Sequence, residues 1–200
     1  MLICGIDEAG RGPLAGPVVA AAVVFQNDFM IDEVKDSKIL SPFERESLFF
    51  RIIDKCSCYS ISIADNNLID SINILKATMY AMHECIKKLS LIPEIYLIDG
   101  NYFKLNDEEH LKLNHKTVIK GDSKIFQISC ASILAKVTRD NIMKGYHLRF
   151  PQYNFDRHKG YATAEHYKMI NKYGLCEIHR KSFLKNYISN GEIIDYELHI

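Results

Sequence analysis

Leu2-Ile3-Cys4-Gly5-Ile6-Asp7-Glu8-Ala9-Gly10-Arg11-Gly12-Pro13-Leu14-Ala15-Gly16-Pro17 runs from an apolar stretch through two acids into glycine and proline. Leu2 to Asp7 reads as a short buried strand and Gly10 to Gly16 as a turn. Val18 to Phe25, rich in β-branched residues, reads as a second strand. Two acids beside glycines are poor core and poor strand residues. Successive strand side chains face opposite ways, so Asp7 and Glu8 share one site only if the backbone bends there. The glycines permit that bend and let backbone N–H groups approach a ligand closely. Taken alone, the pair is read more simply as an acidic strand exit.

Working outward, Ser41-Pro42-Phe43-Glu44 is a capping box with proline at the first helical position, so a helix is expected from Pro42 to about Asp54. Tyr59, Ile61 and Ile63 alternate with Ser60 and Ser62, the pattern of a half-buried strand. Asp70 is expected to cap a long helix in which Ile72, Leu75, Met79, Met82 and Ile86 recur. Glu94 to Ile98 reads as another buried strand ending at Asp99-Gly100, and Thr117 to Ile119 as a further short one. A helix is expected from about Ser129 to Tyr146, then a loop through Pro151 and Gly160. A last helix starts at Thr163 and stops at Gly174. Strands with intervening helices make the class α/β, with a helical C-terminal part.

Asp99 and Asp122 stand at the ends of apolar segments, as Asp7 and Glu8 do. Taken alone, Asp99 is read more simply as part of an Asp-Gly turn, and Asp122 equally as a cap or turn residue. Together, acids at the exits of adjacent strands gather at one sheet edge, and their hard oxygens suit Mg²⁺ or Mn²⁺. Four such groups suffice for two ions ~3.5–4 Å apart, the arrangement used for phosphodiester displacement. Gly10-Arg11-Gly12-Pro13-Leu14-Ala15 also fits a loose dinucleotide fingerprint, but that motif must open a helix, and here the turn leads into a strand. His110 and His115 have no metal-like context. Asp140, four residues after Lys136 on a helix, reads as an ion-pair partner.

Composition narrows the class. Hydrophobic residues are 48% and charged residues 25% of 200, as in ordinary globular chains. The apolar run Leu14 to Phe25 is too short to span a bilayer. Met1 to Glu8 has no basic n-region, which reads as no signal peptide. Six scattered cysteines without a C-x-x-C pair suit reduced thiols and argue against structural zinc. A cytoplasmic protein is expected. The net charge is zero, yet residues 136–185 carry +7, against −4 before them and −3 after. A basic segment joined to an acidic one could bind phosphates with one part and cations with the other, or be a solvated surface.

With these motifs in order, the chain resembles ribonuclease HII, the type 2 ribonuclease H family. The resemblance takes in Gly5 to Pro17, Asp36-Ser37-Lys38-Ile39-Leu40-Ser41, Asn73 to Met79, Ile98-Asp99-Gly100 and Lys120-Gly121-Asp122-Ser123-Lys124. It continues through Ala131 to Asp140, His158-Lys159-Gly160-Tyr161 and His179-Arg180-Lys181-Ser182-Phe183. It implies a ribonuclease H-like fold, with a mixed central sheet flanked by helices. The expected organisation is one domain over 1–200, a catalytic core to about 146 and a basic helical part and tail from about 147.

It also implies an endoribonuclease that hydrolyses the 5′ side of ribonucleotides in RNA/DNA hybrids or embedded in duplex DNA, leaving 3′-hydroxyl and 5′-phosphate ends. Such an enzyme would remove misincorporated ribonucleotides or RNA primers. By this resemblance Asp7, Glu8, Asp99 and Asp122 are the metal-binding, catalytic acids, served by Mn²⁺ or Mg²⁺. Gly10, Arg11 and Gly12 form the loop that senses the ribose 2′-hydroxyl, and Tyr161 packs against that sugar. Lys38 is a phosphate contact. A monomer acting on nucleic acid, with no membrane association, is expected. His158 and His179 are read as phosphate contacts or solvated surface. Ala162 and Cys130 depart from the pattern, where proline and alanine are common, and leave the acids untouched. The acidic tail has no assignable role. Two other readings stay open: another two-metal nuclease or strand-transfer enzyme, and a silent hybrid-binding module.

Overall fold

The computed structural model describes residues 1–36, 40–104 and 113–185. Lys38, His110 and the acidic residues Glu192, Asp195 and Glu197 lie outside these. Five strands, β1 (Leu2–Ala9), β2 (Val18–Gln26), β3 (Cys58–Ala64), β4 (Ile95–Asp99) and β5 (His115–Val118), form one sheet in the order β3-β2-β1-β4-β5. β1, β2 and β3 pair antiparallel, while β4 and β5 run parallel to β1. The mixed sheet matches the ribonuclease H-like fold expected from the sequence. β2 is buried along nearly its whole length because helices cover both its faces.

The helices are α1 (Pro42–Lys55), α2 (Asn66–Ile72), α3 (Ile74–Lys88), α4 (Phe126–Arg149), α5 (Phe155–His158) and α6 (Ala164–Tyr173). Strand alternation splits the core in two. Cys4, Ile6, Ala20, Ala22 and Val24 pack with Ala77, Met82 and Cys85 of α3. Ala21, Val23 and Phe25 pack on the opposite side with Leu48 and Ile52 of α1 and with Ala131, Leu134 and Ala135 of α4. A third cluster joins Leu14 and Ala15 to Met143 near the end of α4, to Tyr153 and Phe155, and to Ile170 of α6. Gly5 lets α4 lie directly on β1: a Cβ there would stand 2.1 Å from the Gln127 carbonyl carbon.

The capping box forms as read, with Glu44 N–H donating to Ser41 Oγ at 3.2 Å and Ser41 N–H to Glu44 Oε2 at 2.7 Å. Thr163 caps α6 and Gly174 ends it. One boundary differs. Asp70 does not cap the long helix; it lies inside the short α2, which Asp65 caps, and Asn73 caps α3 with φ 69°. The Asp70 carboxylate instead accepts from Lys181 N–H at 2.8 Å and Ser182 N–H at 2.9 Å, tying α2 to the C-terminal segment. That partner lies over a hundred residues away, beyond what local patterning reports. The loop expected around Pro151 also contains α5.

Candidate active site

The parallel register sets Ile6 beside Ile98, so Asp7 and Asp99 follow at neighbouring positions on adjacent strands. β1 keeps its pairing through Ala9, so the bend expected at the acids comes later, at Gly10 with φ +96°. The Asp7 carboxylate is held by Glu8 N–H, which donates to its Oδ1 at 2.7 Å, and by Ser132 of α4, and it lies close enough to the Glu8 and Asp99 carboxylates to feel their charge. Asp99 Oδ1 accepts from Gly121 N–H at 2.6 Å, which fastens the tight turn Gly121–Ser123 carrying Asp122. Ser129 Oγ donates to Asp122 O at 2.6 Å and fixes the same turn to α4.

Asp7 is only 5% exposed and Asp122 9%. Burial first, then the Glu8 and Asp99 carboxylates, push the Asp7 carboxyl well above the usual range. Burial also lifts Glu8, opposed by Arg11, whose Nη1 stands 3.3 Å from Glu8 Oε1. Three carboxylates thus repel one another in a poorly hydrated place. Glu8, Gly10 and Asp122 line a cleft of about 330 Å³ together with Arg45, Ser132, Lys136 and Tyr161.

No set of three or more His, Cys, Asp or Glu among the described residues already stands in metal-binding geometry. The donor set still fits a hard divalent cation. Its oxygens are carboxylate, its charges are unbalanced, and the exposed Arg11 guanidinium is the cation paired with Glu8.

Gly10 is buried, Arg11 and Gly12 are exposed, and Tyr161 is 44% exposed across the cleft. A Cβ on Gly12 would stand 3.9 Å from Tyr161 Cε1, so loop and ring face each other. Lys136 pairs with Asp140 at 2.6 Å, as its spacing foretold.

His158 and His179 are not surface residues: they are buried with His166 behind Tyr161. Fixed N–H donors assign their tautomers. Cys176 N–H donates to His179 Nδ1 at 2.9 Å, so His179 carries its proton on Nε2 and donates to His166 Nε2 at 3.1 Å. His166 then carries its proton on Nδ1 and donates to Tyr161 O at 2.9 Å. Gly160 N–H donates to His158 Nδ1 at 3.1 Å, so His158 Nε2–H meets Tyr153 O at 2.7 Å. All three are neutral. Burial pushes His166 down to about 3 and His179 to about 4.

Sequence reading missed Ser132, Lys136 and Arg139, although their spacing puts them on one face of α4. Arg45 had no comparable signal, and Arg180, although part of the motif His179-Arg180-Lys181-Ser182-Phe183, had nothing local to mark it as buried. The local +7 also proves less free than its sum. Arg139 and Arg180 are buried, while Lys136, Lys144, Arg149 and Arg157 are in ion pairs. Lys168, Lys172, Lys181 and Lys185 remain exposed.

The family model of ribonuclease HII matches residues 4–186. A ribonuclease HII of Caldicellulosiruptor saccharolyticus is 52% identical over 184 residues, covering 92% of this chain and 87% of the relative. The ribonuclease H2 of Pyrococcus horikoshii superposes with TM-score 0.73 at 27% identity, covering 91% of this chain and 93% of the other. The ribonuclease HII in a complex with PCNA from Archaeoglobus fulgidus gives TM-score 0.74 at 25% identity, over 95% and 96%.

Proposed function

This chain belongs to the ribonuclease HII family, hydrolases that cut RNA in RNA/DNA hybrids, and from that membership we propose a metal-dependent cut on the 5′ side of ribonucleotides, including single ones within duplex DNA. The observation that carries the reading is the meeting of Asp7, Glu8 and Asp99 at one sheet edge, with Asp122 fastened beside them by Asp99.

Divalent ions, Mg²⁺ or Mn²⁺, when bound would supply the charge that activates the attacking water and stabilises the departing 3′ oxygen of the upstream sugar. Asp7, Glu8, Asp99 and Asp122 are the residues to hold them. Water adds to phosphorus, the bond to the upstream 3′ oxygen breaks, and that oxygen takes up a proton. The ends are a 3′-hydroxyl and a 5′-phosphate. The chain's own part is alignment. Gly10-Arg11-Gly12 and Tyr161 form two walls between which a ribose fits, and the 2′-hydroxyl separates RNA from DNA. Lys168, Lys172, Lys181 and Lys185 offer charge for the phosphate backbone. In the cell this chemistry removes misincorporated ribonucleotides or RNA primers, in the cytoplasm and by a monomer.

The test is a labelled DNA duplex bearing one ribonucleotide, given each metal in turn, with its product ends mapped. Cleavage 5′ to the ribonucleotide, and none of the all-DNA duplex, is expected. Equal cutting of both would point to a general nuclease and sink the proposal.

A further inference from the structure

Arg139 and Arg180 are 1% and 0% exposed, and their guanidinium groups bind carbonyl oxygens rather than carboxylates. Arg139 donates from Nε to Pro17 O at 2.9 Å, and from Nη2 to Ala15 O at 3.2 Å and Lys159 O at 3.0 Å. Arg180 donates from Nε to Gly16 O at 2.9 Å, from Nη1 to Arg11 O at 3.0 Å and from Nη2 to Gly10 O at 2.6 Å. Burying a cation without a counter-ion is costly, so the arrangement calls for a reason. Burial first, then the Arg139 cation, pull Arg180 down to about 9, against the opposing pull of Asp70 and Tyr161.

The geometry of the peptide unit supplies that reason. In a trans peptide the C=O of one residue and the N–H of the next point in opposite directions, and no cis bond occurs among the described residues. With the Gly10 and Arg11 carbonyls drawn inward to Arg180, the Arg11 and Gly12 N–H groups must point outward. Neither N–H meets an acceptor among the described residues. Gly12 faces the Tyr161 ring, and the Arg139 guanidinium carbon lies 5.8 Å from that ring's centre. The same two buried cations therefore lie behind both walls of the cleft. Arg139 Nη1 is a buried donor with no partner, which adds positive potential there.

We propose that Arg180, backed by Arg139, is a specificity-determining positioning residue: its fork turns the Arg11 and Gly12 amides toward the ribose and thereby sets the preference for ribonucleotides. The proposal rests on the function proposed above. Arg180 touches no reacting atom; it acts through the loop. A lysine at this position keeps the charge but has no planar fork to bridge three carbonyls.

Two measurements test it. The first needs no substrate: site-resolved amide hydrogen exchange of the native chain. Arg11 and Gly12 should exchange fast, whereas Leu14 and Gly16, which donate to Gly160 O and Ile178 O, should be protected. Protected Arg11 and Gly12 amides would overturn the proposal. The second compares Arg180→Lys and Arg180→Met with the native enzyme. For each, kcat/KM is measured on a duplex with one ribonucleotide, and Ki for the all-DNA duplex as competitor. Loss of charge-assisted hydrogen bonds should lower kcat/KM roughly 10- to 100-fold in both variants, with Ki nearly unchanged. A parallel rise in Ki, or full activity in Arg180→Lys, would reduce Arg180 to general folding or general charge. Should the native enzyme itself fail to prefer ribose, the proposed function falls, while the exchange pattern still decides whether the fork holds the loop.

Discussion

Asp7→Asn should separate stability from turnover. The substitution keeps the shape of a buried side chain while removing a charge that burial and two neighbouring acids disfavour, so the melting temperature should hold or rise. Cleavage should fall by on the order of 10²–10³-fold or more, as when one charge-stabilising group is removed from an active site. A variant cleaving near the native rate would remove Asp7 from the chemistry. Tyr161→Ala should cost cleavage of single embedded ribonucleotides more than it costs stability, because the ring is 44% exposed; an equal loss on long hybrids would contradict a sugar-facing role. The acids and the glycine loop were legible because they break local rules, being charged or conformationally free where a strand should be apolar. Arg139, Arg180 and the three histidines were not. Composition places such residues at the surface, and only the acceptors that folding sets beside them make their burial tolerable: distant carbonyls for the arginines, nearer carbonyls for His158 and His166, and the His166 ring for His179.

Helices and strands whose pattern is local were read to within a few residues: the Ser41 capping box, the alternation in β3 and the stop at Gly174. Asp70 was misplaced because its partners belong to a segment far along the chain. The contact between α4 and β1 depends on Gly5. Gly5→Ala should drive these elements apart, costing about 1–3 kcal/mol and lowering the melting temperature by roughly 2–12 °C. An unshifted transition would show that α4 yields without strain. The histidine cluster predicts a pH dependence. Because His166 and His179 are held below their ordinary value, the unfolded chain binds protons first. Their contribution is complete above about pH 6.5. It is lost progressively as pH falls toward about 4 and then about 3. The slope is up to ~1.4 kcal/mol per pH unit for each histidine, and urea titrations across this range should reveal it. His166→Gln, which keeps a donor and an acceptor but cannot protonate, should flatten the curve; an unchanged slope would deny the neutral relay.

At the scale of the molecule, the adjacency of β1 and β4 was legible once the acids were seen to need one shared edge, while the places of β2, β3 and β5 in the sheet were not. The distribution of positive charge was not, because a sequence sum does not show which cations are already engaged. The logarithm of the duplex binding constant should fall linearly with log salt concentration, and Lys168→Gln with Lys172→Gln should reduce that slope by about 0.9 for each phosphate no longer neutralised. An unaltered slope would move the docking face away from α6. The central claim, that four carboxylates at one sheet edge capture divalent cations, is tested most directly by anomalous diffraction from crystals grown with Mn²⁺. Manganese should appear between Asp7, Glu8, Asp99 and Asp122, and be lost or weakened in Asp7→Asn. Manganese bound elsewhere, or absent from that edge at saturating concentration, would contradict the account.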